Sequence, residues 1–144
     1  MTMRDILREK GSEIMTVDLD TGVPEVARVM MERNIGALLV EDDGKLCGIV
    51  TERDVVKTLS RDKDCANVRI KDVMTSNLIV SKPGDDLDYV MAVMIQNNIR
   101  HLPVVEETGL VGMLSMRDVV RVLVKNLKAE NQYLRDFIGG SFEV

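Results

Sequence analysis

The chain has 144 residues and a net charge of −5, with 45% hydrophobic and 30% charged residues; this is a globular composition for one compact unit or two small halves sharing a core. The acidic balance argues against nucleic-acid binding, which needs a basic stripe, and no apolar run is long enough for a membrane span or a signal peptide. Two cysteines without metal-ligand spacing, Cys47 and Cys65, read as reduced thiols and predict a cytoplasmic protein.

In chain order, Met3 to Leu7 reads as a short helical lead-in, echoed by Ile70 to Met74. Ile14 to Val17 is a strand, and Asp18 to Gly22 a loop. Val23 to Arg33 is a helix: Pro24 suits its first turn, Val23, Val26, Ala27, Met30 and Met31 recur on one face as core, and Asn34 ends it. Ala37 to Val40 and Leu46 to Val50 are strands joined by the turn residues Asp42-Asp43-Gly44. The second of these strands is apolar enough for burial on both faces. A helix follows Thr51 to about Ser60, and a polar linker begins at Arg61.

The order then repeats. Leu78 to Val80 is a strand, Leu87 to Gln96 a helix, and His101 to Val105 and Gly109 to Leu114 are strands. At an offset of 64 residues, windows 35–59 and 99–123 share ten identities in 25 positions. That offset exceeds solenoid periods, so the expectation is two copies of one small domain, each marginal alone, packed face to face. The boundaries are 1–62, a linker at 63–69, 70–127, and a helical extension and tail at 128–144.

One motif recurs with the repeat. Gly48-Ile49-Val50-Thr51-Glu52-Arg53-Asp54 returns as Gly112-Met113-Leu114-Ser115-Met116-Arg117-Asp118. Each is a strand running into a helix, with the hydroxyl at the N-cap and the aspartate in the first turn. A helix start offers unpaired N–H groups and the positive end of its dipole, suited to a phosphate. Thr51 and Ser115 would add a hydroxyl donor, and Asp54 and Asp118 could accept both hydroxyls of a ribose diol. The same pattern also spells a capping box, which only closes a helix end.

With Ile-Gly-Ala-Leu-Leu-Val at 35–40 and Ile-Arg-His-Leu-Pro-Val at 99–104 preceding the two motifs, the chain resembles a tandem pair of CBS domains (cystathionine-β-synthase domains, a Bateman module) over nearly its whole length. The resemblance implies an α/β (α+β) fold of two β-α-β-β-α repeats about a pseudo-two-fold axis. Two clefts between them would take AMP, ADP, ATP or S-adenosylmethionine as a regulatory ligand rather than a cofactor. It assigns the ribose to Asp54 and Asp118 and the phosphate side to Thr51 and Ser115. Adenine would meet Thr16 and Val17, Ile79 and Val80, and the strand starts 35–39 and 99–103, which include Ala37, Leu39 and Pro103. The second copy has Arg100, His101 and Pro103 where the first has Gly36, Ala37 and Leu39. Arg100, His101 and Arg117 suit a phosphate chain, so the clefts should differ in affinity. Against this, His101 reads equally as a hydrogen-bonded strand residue, and Arg53 and Arg117 as surface ion-pair residues.

Arg117 to Ile138 reads as one long helix stopped by Gly139-Gly140. Its stripe of Val120, Leu123, Val124, Leu127, Leu134 and Ile138 is broken by Asn131. The stripe must be covered by a second copy in a homodimer, where Asn131 would favour one register, or by the chain's own body. With one histidine, no nucleophile–base pair and no metal cluster in the sequence, an enzyme is poorly supported. The functional expectation is a sensor of adenine nucleotides that signals by conformational change, serving a client enzyme or transporter in trans, with neither nucleic acid nor membrane as partner. The alternative is a ligand-free scaffold for another protein.

Overall fold

The computed structural model describes residues 1–11, 13–61 and 64–140. The beginning of the expected linker and the last four residues of the tail lie outside them. Helix α1 (Met3–Lys10) starts at a capping box between Thr2 and Asp5 and buries Met3, Ile6 and Leu7. A three-stranded sheet follows, in which β1 (Thr16–Asp18) runs parallel to β2 (Ala37–Asp42) and β2 antiparallel to β3 (Lys45–Thr51). Helix α2 (Val23–Arg33) crosses between β1 and β2, with Pro24 in its first turn and Asn34 left-handed at its end, φ 52°. Asp43 and Gly44, at φ 52° and 81°, turn β2 into β3, as expected where both central residues need positive φ. Helix α3 (Glu52–Arg61) leaves β3 without a loop.

The second copy comprises α4 (Leu87–Gln96), β4 (His101–Glu106), β5 (Gly109–Ser115) and α5 (Met116–Arg135). Its first strand, expected at Leu78–Val80, does not form. Only Ser81 bridges to Val104, giving its N–H to Pro103 O at 2.9 Å and accepting from Val105 N–H at 2.9 Å. The cause is one residue. In the first copy Leu39 N–H reaches Met15 O at 3.4 Å; its equivalent is Pro103, which has no N–H to give. The Ile70–Met74 lead-in likewise shrinks to a 3₁₀ turn at Ile70–Asp72, after another at Cys65–Asn67.

The two lead-ins trade places. Met3, Ile6 and Leu7 of α1 pack with Leu87, Val90, Met94, Leu102 and Leu114 of the second copy. Ile70 packs with Val23, Val26, Leu38, Val40 and Val50 of the first. Backbone bonds fix both crossings: Met3 N to Asp85 O at 3.0 Å, Val23 N to Val68 O at 3.0 Å, and Ile49 and Thr75 bonded reciprocally at 3.0 and 2.9 Å. The repeated motif's glycine is required here. A Cβ on Gly112 would stand 2.7 Å from Leu7 Cδ2, and one on Gly48 would stand 2.5 Å from Met74 Sδ and 3.0 Å from Thr75 O. Only a bare Cα lets the crossing segment lie so close.

Other expectations shift. Met30 is core, but Met31 is 83% exposed. Strand β3 is fully buried only at Gly48 and Val50. Helix α5 stays α-helical to Arg135 and then widens to a π turn over Asp136–Gly140, so the paired glycines sit inside a helical turn. Of its apolar stripe only Leu123 packs on the body; Val120 is 50% exposed, Val124 43%, Leu127 61% and Leu134 44%. No helix among the described residues is long and apolar enough to cross a membrane.

Candidate functional site

Strand pleating decides which residues reach the face between the copies, because successive side chains alternate. Leu38 and Val40 of β2, and Leu102 and Val104 of β4, point into their own helix-covered cores. Ala37 and Leu39, with His101 and Pro103, therefore point the other way. Thr16 lies beside Leu39 and shares that face, while the Val17 side chain packs on the first core. Ala37 and Leu39 are 2% and 0% exposed, and Pro103 is buried, so they form a sealed floor with no surface open to a ligand in this arrangement. Ile79 and Val80 belong to no strand and are exposed.

Both junctions are built as capping boxes. The Asp54 Oδ2 accepts from Thr51 N–H at 2.9 Å and Thr51 Oγ1 at 3.1 Å, and Asp54 N–H donates back to Thr51 Oγ1 at 3.4 Å. Asp118 Oδ2 accepts from Ser115 N–H and Oγ, both at 2.8 Å, with Asp118 N–H returning to Ser115 Oγ at 3.2 Å. Thr2 and Asp5 repeat the first set at 2.9, 3.1 and 3.4 Å on an exposed helix end. This geometry is therefore what a cap requires, and is not by itself a ligand signature. The N–H donors expected for an anion are also largely committed. Glu52 N–H goes to Gly36 O at 3.0 Å and Met116 N–H to Arg100 O at 2.8 Å. Together with the caps, two of the first three N–H groups of each helix are taken.

What remains open differs between the copies. Asp54 is partly buried. Its second oxygen has no hydrogen-bond or ion-pair partner among the described residues. Asp118 is buried at 7% exposure, and its Oδ2 also holds Lys10 Nζ at 2.6 Å, with Arg121 at 3.6 Å from Oδ1. The same Lys10 ammonium donates to Met113 O at 2.5 Å. Burial alone would raise the Asp118 carboxyl; the Lys10 ammonium and the Ser115 N–H and hydroxyl outweigh it and hold it below the ordinary range. Lys10 was missed in the sequence because it ends a helix that looked like a local lead-in. The signal was there in principle: α1 has an apolar face that its own repeat does not need.

His101 stands where both copies meet. Burial, then the Arg100 and Lys10 charges, push its pKa below the ordinary histidine value, with Asp118 and Glu52 pulling weakly the other way. It is therefore neutral at pH 7, flanked by cations that an anion would relieve. Arg53, Arg100 and Arg117 are exposed, and the surface ion-pair reading of Arg53 and Arg117 finds no partner for either among the described residues. A groove of about 410 Å³ runs between α1 and α5, lined by Ile6, Glu9, Lys10, Asp118, Arg121, Val122 and Lys125. Cys47 packs against the first core and donates its thiol to Val40 O at 3.3 Å. Burial and nearby carboxylates push its pKa up, which is the opposite of a reactive thiolate. No cluster of ligating side chains suited to a metal occurs among the described residues.

Comparison with known proteins gives the same architecture. The CBS domain matches residues 4–61 and 70–125. The plant protein "CBS domain-containing protein CBSX3, mitochondrial" of Arabidopsis thaliana is 32% identical over 151 aligned positions, covering 98% of this chain and 73% of its own. The solved CBS-domain protein ATU1752 of Agrobacterium tumefaciens superposes with a TM-score of 0.81 at 33% identity, covering 85% of this chain and 98% of that one. The CBS domain pair of protein MJ0100, solved with 5-methylthioadenosine and S-adenosylmethionine, superposes with a TM-score of 0.79 at 28% identity, over 88% of this chain and 98% of that one.

Proposed function

Because the chain belongs to the CBS-domain family as a tandem pair, we propose that it is a regulatory module, not an enzyme, that takes an adenosine compound between its repeats. An adenine nucleotide or S-adenosylmethionine fits this reading. The single observation that carries it is the asymmetry of the two aspartates. One oxygen of Asp54 closes the helix and the other, in a partly buried setting, has no partner among the described residues. A ribose diol needs such an acceptor. Asp118 is already held by Lys10, so the Asp54 junction is the primary site. A phosphate chain would draw on Arg53 and Arg100, which make no ion pair among the described residues, and on His101. Binding signals only if it favours one arrangement of the repeats over another. The chain would act as a homodimer in the cytoplasm on a client enzyme or transporter.

The scaffold reading is favoured at the second junction alone, where the chain's own lysine fills the carboxylate. Thermal melts with AMP, ADP, ATP, S-adenosylmethionine and 5-methylthioadenosine separate the two. A ligand at 100 times its dissociation constant adds about 2.7 kcal/mol. No shift with any of the five overturns the sensor and leaves the scaffold.

A further inference from the structure

The exposed stripe of α5 is a heptad seam. Val120, Val124, Leu127, Asn131 and Leu134 are spaced by four, three, four and three residues. This is the alternation of d and a positions in a coiled coil. Leu127 and Leu134 fall at d, and Val124 and Asn131 at a. Leu at d with a β-branched residue and one Asn at a is the pattern of a parallel two-stranded coil.

The flanking charges choose the occupant and its direction. The e positions are Arg121, Lys128 and Arg135, all cationic, and the g position between the last two is Glu130. An antiparallel pair sets e against e, placing like charges together. A parallel pair sets Glu130 against Arg135 of the second copy, opposite in sign. Neither Glu130 nor Arg135 has an ion pair within its own chain among the described residues. We propose that α5 pairs with α5 of a second copy as a short, parallel, in-register coiled coil, with Asn131 facing its own counterpart. Two heptads are too short to pair as free peptides. Here the helix is preformed, because Val119 and Val122 anchor its first turns in the core, so nucleation costs nothing at pairing. The π turn after Arg135 changes the helical pitch and ends the seam there.

Sedimentation without nucleotide keeps this test independent of the sensor reading. The chain is expected to be a dimer whose Tm rises with concentration, and Leu127→Asp with Leu134→Asp a monomer that still melts cooperatively, at a lower Tm independent of concentration, since both residues lie on the exposed face. Glu130→Arg should weaken association about tenfold, and adding Arg135→Glu should restore it. Leu134→Cys should oxidise to a linked dimer while the parent, with its native Cys47 and Cys65, does not. A monomeric parent, a dimer indifferent to the two aspartates, or a dimer that Leu134→Cys fails to link overturns the proposal; the last two mean another face or an antiparallel pair.

Discussion

Replacing Lys10 by Met removes the ammonium from Asp118 while keeping the length of the side chain. The lost contact is a 2.6 Å charge-assisted hydrogen bond, and hydrogen bonds to charged groups contribute about 1.5–3 kcal/mol. Removing one partner of a fully buried pair costs more, about 3–5 kcal/mol. Lys10 keeps 29% of its side-chain surface against 8% for Asp118, so water offsets part of the loss and about 2 kcal/mol is expected. For a chain of this size that lowers Tm by roughly 5–8 °C. The pH dependence supplies the sign. Asp118 is depressed in the folded state; its stabilisation is complete above the unfolded carboxyl value of about 3.9 and is lost as pH falls through the folded one. The gap in Tm between parent and Lys10→Met should be full at pH 7 and close toward acid. Calorimetry across that range checks it, with Asp118→Asn completing a double-mutant cycle. A gap unchanged at acid pH, or a coupling energy of zero, would refute the role given to the pair.

Three further outcomes follow from the same geometry. Asp54→Asn keeps an amide oxygen for the Thr51 cap but neutralises the diol-facing atom, so ligand affinity should drop at least tenfold by calorimetric titration while Tm moves little; equal losses for Asp54→Asn and Asp118→Asn would contradict the primacy of the first junction. Gly112→Ala should cost about 1–3 kcal/mol in urea melts through overpacking on Leu7, and should cost less when Leu7 is already Ala; an equal cost in both backgrounds would mean that the strain lies elsewhere. His101 is depressed when folded, so the unfolded chain takes the proton first and stability should fall as pH drops below about 6.5. A phosphate-bearing nucleotide should raise the His101 midpoint in an NMR titration, whereas a ligand without phosphate should leave it in place.

The repeat was legible because its periodicity survives in ten shared positions, and helices α2 and α4 fall where their apolar spacing puts them. What escaped were effects acting between distant segments. The missing strand before Ser81 turns on a proline 22 residues onward, invisible to any local window. The crossing of the lead-ins could not be read, since an apolar face at Met3, Ile6 and Leu7 does not say which core it fills. For the same reason the sequence named Asp118 and missed Lys10, the group that holds it. The cap and the ligand readings of Thr51–Asp54 were both written in one motif, and the third box at Thr2–Asp5 demonstrates why spacing alone could not part them.

The exchange of lead-ins also bears on cutting the molecule. A fragment ending near Arg61 would leave the α1 apolar side uncovered and its own sheet without Ile70 as a lid. Each severed piece thus carries the other's missing stopper, so two separately made halves are complementary parts that mend one another, rather than autonomous modules on a string.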